Sequence, residues 1–267
     1  MHLGVSVPNY GPGTDPGVLR EWARIVEGLG FDLLMVSDHV VVTPDVAVRY
    51  PEPFYEPFTA LSWLAGITTR VRLGTTVVVL PYRHPLVVAR MALNLHELSG
   101  GRLVLGVGVG GARQEFEALG IPFAERGRLT DDYLTSLREA WGPKSAIPVW
   151  VGGNSEAAIR RSIRFEAAWH PLRATLPFLR DAVAGHALPA LAPRIGLALT
   201  DSPAEETGRL PGTGSLEQIL GDLDQLRRLG ADTVVLDPYH GDPEETRRPE
   251  VAWRALTAVA TRWRTPS

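Results

Sequence analysis

The 267-residue chain contains no cysteine. That absence excludes disulfides, zinc ribbons, iron–sulfur clusters and thiol nucleophiles together. Lysine is nearly missing as well: of 27 basic residues only Lys144 is one, a compositional bias from which no function follows. Clustered positive charge is also lacking. The longest basic runs are the pairs Arg160-Arg161, Arg227-Arg228 and Arg247-Arg248, and 30 acidic residues leave a formal charge of -3. Neutralising phosphates needs grouped cations, so no nucleic-acid partner is expected. Apolar runs such as Val77-Val78-Val79-Leu80 are far too short to span a bilayer. The start, Met1-His2-Leu3-Gly4-Val5, passes directly into a strand pattern without the apolar stretch of a secretory signal. The expectation is a cytoplasmic protein with no membrane partner.

What is present is a large apolar fraction, 45%, enough for a sizeable core. Short apolar runs at 3–7, 32–37, 71–80, 103–107, 148–151, 167–169, 194–199 and 233–236 read as strands. Helical periodicity fills 16–29, 57–68, 85–98, 113–119, 129–141, 155–165, 175–185, 215–229 and 249–263. Such alternation favours parallel strands, because each crossover needs a dozen or more residues. The runs are rich in Val, Leu and Ile with little alternation, as in strands buried on both faces. Eight such units suit a closed (β/α)8 (TIM) barrel better than an open doubly wound sheet, the structural alternative. No linker or low-complexity segment interrupts the pattern, so residues 1–267 read as a single domain.

In a barrel of this kind the chemistry sits on loops after the strands. Those loops hold Pro8-Asn9-Tyr10, Asp38-His39-Val40, Pro81 to Pro85, Gly106 to Gly111, Gly152 to Ser155, His170-Pro171 and Asp237 to His240. Asp38 beside His39 can position a partner and supply a proton, or simply cap a turn and fill space. The run Gly106-Val107-Gly108-Val109-Gly110-Gly111 allows close backbone approach to a ligand, or tight packing alone. A dinucleotide fingerprint fails on context, because the run follows the fourth strand and Asp131 reads as a helix start. Gly152-Gly153-Asn154-Ser155 opens a helix whose first N–H groups, with Arg160 or Arg161 a turn further, can cradle a phosphate or merely be capped. Gly74-Thr75-Thr76 inside a long strand invites a bulge. His84, His170 and His240 show no metal-ligand spacing, so no metal is expected. Ser37, Ser155 and Ser162 lack a nucleophile-elbow context. Trp63, Trp141 and Trp253 fall on helical faces and read as packing.

The segments LGVSVPNYGP, GLGFDLLMVSDHVVV, RVRLGTTVVVLPYRHPLVVAR, LSGGRLVLGVGVG, FEALGIPFAERGRLTDDYL, IPVWVGGNSEAAIRR and SLEQILGDLDQLRRLGADTVVLDP, in this order, resemble the bacterial luciferase-like superfamily, and within it the coenzyme F420-dependent oxidoreductase branch. The resemblance implies a TIM barrel and hydride transfer between deazaflavin and a small organic molecule. It implies Asp38 near the deazaflavin ring and His39 as the catalytic proton donor or acceptor. It implies a non-prolyl cis peptide at Thr76-Val77 backing the ring. Gly108, Val109, Gly110 and Gly111 would pass the ribityl and phosphate region, and Gly152, Gly153 and Asn154 would meet the phosphate end. A reduced-FMN monooxygenase with a flavin reductase partner is the alternative, and a non-catalytic ligand-binding barrel a further one. A homodimer is compatible with the family. Loop 43–58, with Tyr50, Phe54 and Tyr55, would set specificity. The chain departs from the family in shortened insertions: only Gly142-Pro143-Lys144-Ser145-Ala146 precede the fifth strand, the region 172–195 is short, and Gly111 stands where an aromatic is common.

Overall fold

The computed structural model describes residues 1–143 and 145–264; Lys144, in the short connection singled out above, lies outside them. Among the described residues there are eleven strands: β1 His2–Ser6, β2 Leu33–Val36, β3 Arg72–Thr75, β4 Val78–Val79, β5 Leu103–Gly108, β6 Val149–Gly152, β7 Ala168–His170, β8 Arg194–Gly196, β9 Ala198–Leu199, β10 Thr213–Gly214 and β11 Thr233–Asp237. Side by side they run β7-β6-β5-β3-β2-β1-β11-β8, all parallel, with β4 continuing the β3 position against β5. The ring closes between β7 and β8 through main-chain bonds from Trp169 N–H to Ala190 O (2.9 Å), Ala192 N–H to Trp169 O (2.8 Å) and Arg194 N–H to Pro171 O (2.8 Å). The result is the expected eight-stave parallel barrel. The short β9–β10 pair lies off the barrel path.

The helices begin where the sequence supplies caps. Asp15 accepts from Val18 N–H (2.8 Å) ahead of the helix Pro16–Gly28, and proline at its first turn loses nothing by lacking an N–H. Ser215 and Gln218 form a reciprocal capping box before Leu216–Arg228. The longer helices turn an apolar stripe onto the barrel, as Leu19, Trp22, Ala23 and Val26 do in the first. Inside the barrel, Leu33, Met35, Val104, Trp150, Ala192 and Val235 form a separate buried cluster, so the interior is a packed plug. Gly74 belongs to this packing: a Cβ there would lie 2.9 Å from Met35 Cε.

The strand expected over 71–80 is interrupted, and the interruption shapes the site. Gly74 pairs with Val104 and Val78 with Val107, so four steps on one strand face three on the other. The extra residue is a β-bulge. Within it, Thr76-Val77 is a cis peptide, as the family resemblance implied. Among the described residues no helix is long and apolar enough to cross a membrane.

Candidate active site

The C-terminal ends of the strands bring the Asp38-His39 turn, the bulge, the glycine run and the 152–155 turn to one end of the barrel. Asp38 is sealed. Its Oδ2 accepts from Val79 N–H at 2.9 Å, and Arg83 donates to both its oxygens at 2.8 Å. Arg83 also reaches Glu56 Oε1 at 2.9 Å. Burial opposes the charge on Arg83, but the two carboxylates outweigh it and hold its pKa above the ordinary arginine value. With no exposed side-chain surface, Asp38 ties the end of β2 to β4.

His39 retains 17% exposure and lies against Glu115, with Nδ1 2.7 Å from Oε2. Glu115 was not singled out from sequence. It stands in the first turn of the helix Arg113–Ala118 that the glycine run feeds, and it is fully buried. Four groups converge on its carboxylate: His39 Nδ1, the N–H groups of Val40 (2.6 Å) and Val41 (3.1 Å), and the Tyr82 hydroxyl (2.9 Å). Burial works against ionisation, but the bonds from His39, Val41 and Val40 outweigh it and lower the Glu115 pKa. An ionised Glu115 takes the Nδ1 proton of His39 as its hydrogen bond, which leaves Nε2 as the ring's working atom. No hydrogen bond engages Nε2 among the described residues. The clue in the sequence was an acid one turn into that helix with no basic residue three or four positions away (Ala112, Gly111, Ala118, Leu119).

Segment 43–56 crosses above this pair. Gly11 N–H donates to Pro51 O and Pro53 O (3.0 Å each), Tyr55 N–H to Asn9 O (2.8 Å), and the Tyr239 hydroxyl to Arg49 O. The segment thereby stacks Tyr50 on the His39 imidazole, centroids 5.4 Å apart and planes at 28°, and sets Phe54 edge-on at 5.4 Å.

The bulge is held from within the barrel. Arg194 Nη1 donates to Thr76 O (2.9 Å) and Oγ1 (3.1 Å), while its other nitrogens meet Asp237 Oδ2 at 3.1 and 2.9 Å. Arg173 adds a second guanidinium to the same oxygen at 2.9 Å. His170 Nδ1 donates to the Ala192 carbonyl, so its Nε2 is the acceptor for the Thr76 hydroxyl at 2.9 Å. Burial pushes the His170 imidazole down from 6.5 to about 4, so the ring is neutral at neutral pH. Between those values the folded chain binds fewer protons than the unfolded one. This contribution to stability is therefore complete above about pH 6.5 and is lost as pH falls toward 4. We expect the urea midpoint to fall across that window, and to fall less in His170→Gln. Equal pH slopes in the two proteins would contradict this account of His170.

The glycines divide by neighbour. A Cβ on Gly108 would lie 2.5 Å from Val77 Cγ2, and one on Gly152 2.8 Å from Val77 Cγ1, so these two make room for the bulge. One on Gly110 would meet Val79 at 2.5 Å, whereas Gly111 has nothing within 4 Å. Val109, just before them, is half-buried. Gly153 has φ +124°, and a Cβ there would lie 3.1 Å from Ala158. Asn154 is bonded through its side chain to Leu172 O (2.7 Å) and Leu172 N–H (2.8 Å), which leaves Ser155 as the cap of the helix Glu156–Arg164. The N–H groups of residues 154–157 make no hydrogen bond among the described residues. The arginines expected to support this helix start do not turn to it. Arg160 pairs with Glu156 at the surface (3.0 Å), and Arg161 is buried against Asp131 (2.5 Å).

Comparison with known proteins places the chain in a family and a fold. The sequence profile of the luciferase-like monooxygenase family matches residues 1–205. A Mycobacterium tuberculosis protein assigned by name to the coenzyme F420-dependent oxidoreductases is 33% identical over 191 residues, covering 68% of this chain and 50% of that protein. The chain spans 50–63% of the length of the curated mycobacterial relatives it matches. In fold it is similar to the oxygenating constituent of Pseudomonas putida 3,6-diketocamphane monooxygenase in complex with FMN (TM-score 0.75, 14% identity, 97% of both chains). It is also similar to the coenzyme F420-dependent tetrahydromethanopterin reductase of Methanopyrus kandleri (TM-score 0.69, 16% identity, 97% of both chains).

Proposed function

Because this chain belongs to the luciferase-like monooxygenase family, we propose that it is an F420-dependent oxidoreductase acting on a small organic molecule, with residues 1–267 forming one luciferase-like domain. The observation that carries the reading is the His39–Glu115 pair: an imidazole fixed at Nδ1 by a buried carboxylate and free at Nε2. The named F420-dependent relative favours deazaflavin. Reduced FMN, with a flavin reductase as partner, is the second reading, because the neighbour of TM-score 0.75 binds FMN.

The cofactor's phosphate end fits the turn after β6. There Gly153, at φ +124°, lets the turn pack on Ala158, and the N–H groups of 154–157 at the helix start have no partner among the described residues. Gly110, Gly111 and Val109 flank its path, and the Thr76-Val77 bulge would back the ring, with Asp38 acting by holding β4 in place. When bound, deazaflavin supplies or accepts a hydride, which is chemistry no side chain here provides. His39 Nε2 gives or takes the accompanying proton. Glu115 holds the ring's orientation and tautomer through Nδ1. Segment 43–56 excludes water from the reacting atoms.

Fluorescence titration with F420 and with FMN tests this reading, F420 being expected to bind and to bind more tightly. Gly153→Val is expected to weaken both about tenfold or more, because loss of close N–H contacts outweighs the helix-end field, about 0.3–1 kcal/mol. Its melting temperature is measured alongside, and Gly111→Val, at a position with open space, serves as a variant without backbone strain. Unchanged affinity in a folded Gly153→Val protein would place the phosphate elsewhere.

A further inference from the structure

The rings at the barrel mouth enclose a hydroxyl that the fold does not use. Tyr10 follows β1 and is 2% exposed. Its ring touches those of Tyr50, Phe54 and Tyr239, with centroids 5.0, 5.4 and 5.1 Å away. Tyr50 and Phe54 also flank His39, so the same two rings wall both residues. The Tyr10 carbonyl accepts from the Thr14 hydroxyl, yet no hydrogen bond engages its phenol among the described residues. The phenol of Tyr239, by contrast, is taken by Arg49 O. The Tyr10 oxygen is not among the fully buried atoms lacking partners, so it borders space that water reaches. Buried hydroxyls are ordinarily paired, because a dry donor forfeits its solvation. A donor left open beside a cluster of aromatic rings can select for a ligand oxygen.

We propose that Tyr10 donates the hydrogen bond that holds the substrate's oxygen. The substrate class is then a flat, largely apolar molecule with one carbonyl or hydroxyl oxygen at its edge, enclosed with His39 under Tyr50 and Phe54. This rests on the reading of the mouth as the reaction site. Burial, reinforced by the charge of Asp237, holds the Tyr10 pKa well above the ordinary phenol value against the opposite pull of Arg194, so the phenol remains a donor. The rings supply stacking surface, and the phenol and the imidazole orient the ligand against it.

The test uses 2-cyclohexenone and 1-methylcyclohexene, similar in size and differing in the oxygen. Their binding to the full chain is measured calorimetrically, with and without F420. The wild type is expected to bind the ketone about tenfold more tightly than the hydrocarbon. Tyr10→Phe keeps the ring, and is expected to melt like wild type while binding the two probes equally. A ketone affinity unchanged in Tyr10→Phe, or no preference for the ketone in the wild type, would overturn the proposal. Oxygen-selective binding without any oxidation of reduced F420 would leave Tyr10 in this role and remove the deazaflavin reading. The reverse outcome would do the opposite.

Discussion

Replacing His39 with alanine is expected to lower turnover about 10²–10⁴-fold while cofactor affinity changes little. The expectation follows from the placement of the imidazole's two nitrogens. Nδ1 is committed to Glu115 at 2.7 Å, so the ring is fixed in orientation and tautomer. Nε2 is left to exchange a proton, and the substitution removes that atom. It also removes ring contacts to Tyr50 and Phe54, which are worth about 0.5–1.5 kcal/mol each beyond burial. A packing role alone would therefore lower stability and leave turnover per folded molecule intact. Urea denaturation and turnover on the same preparation separate the two, and a loss confined to stability would sink the acid–base assignment.

The largest effect on stability is expected at Asp237. Its carboxylate is 2% exposed and is shared by two guanidinium groups, Arg194 at 3.1 and 2.9 Å and Arg173 at 2.9 Å. Arg194 is itself buried, and Asp237 is the largest influence holding its charge against the penalty of burial. Asp237→Ala leaves that charge without a partner inside the barrel, a change that typically costs about 3–5 kcal/mol. Arg194 also holds the Thr76 carbonyl, so the loss is expected to loosen the bulge and to weaken cofactor binding with it. Asp237→Asn, which keeps the shape and two of the acceptor lone pairs, should cost less. A fall in unfolding free energy below about 1 kcal/mol for Asp237→Ala would mean that the buried charge is compensated by another route.

Much of the barrel was legible because local rules act within one element. Strands buried on both faces read as apolar runs, and capped helices read as 3.6-residue periodicity between them. The helix expected at 85–98 is Pro85–Leu98, and the strand expected at 233–236 is Thr233–Asp237. The break in the third strand was legible in part. Gly74-Thr75-Thr76 invites a bulge, but Val77-Val78-Val79 carries every local sign of continuous pairing, and only the family resemblance pointed to the cis bond at Thr76-Val77. The turn carrying Asp38 and His39 was found, but not how the two divide: one carboxylate sealed by Arg83, one imidazole held by Glu115. Glu115 lies 76 residues from His39, and Arg194 lies 118 from Thr76, so no window of local sequence connects them. At Gly108 and Gly152 the sequence leaves close approach to a ligand and tight packing both open, and a Cβ on either would meet Val77. The helix Pro44–Ala47 and the segment that carries Tyr50 over the mouth lie within the loop expected to set specificity.

The most direct test of the central claim, that His39 serves hydride transfer by deazaflavin at this mouth, is an anaerobic assay. Reduced F420 is mixed with 2-cyclohexenone and the full chain, and the return of the oxidised cofactor's visible absorbance is followed for wild type and His39→Ala. The account predicts oxidation of F420 without oxygen in the wild type, slowed about 10²–10⁴-fold in the variant. Oxygen consumption with reduced FMN and a flavin reductase, with reduced F420 untouched, would contradict it.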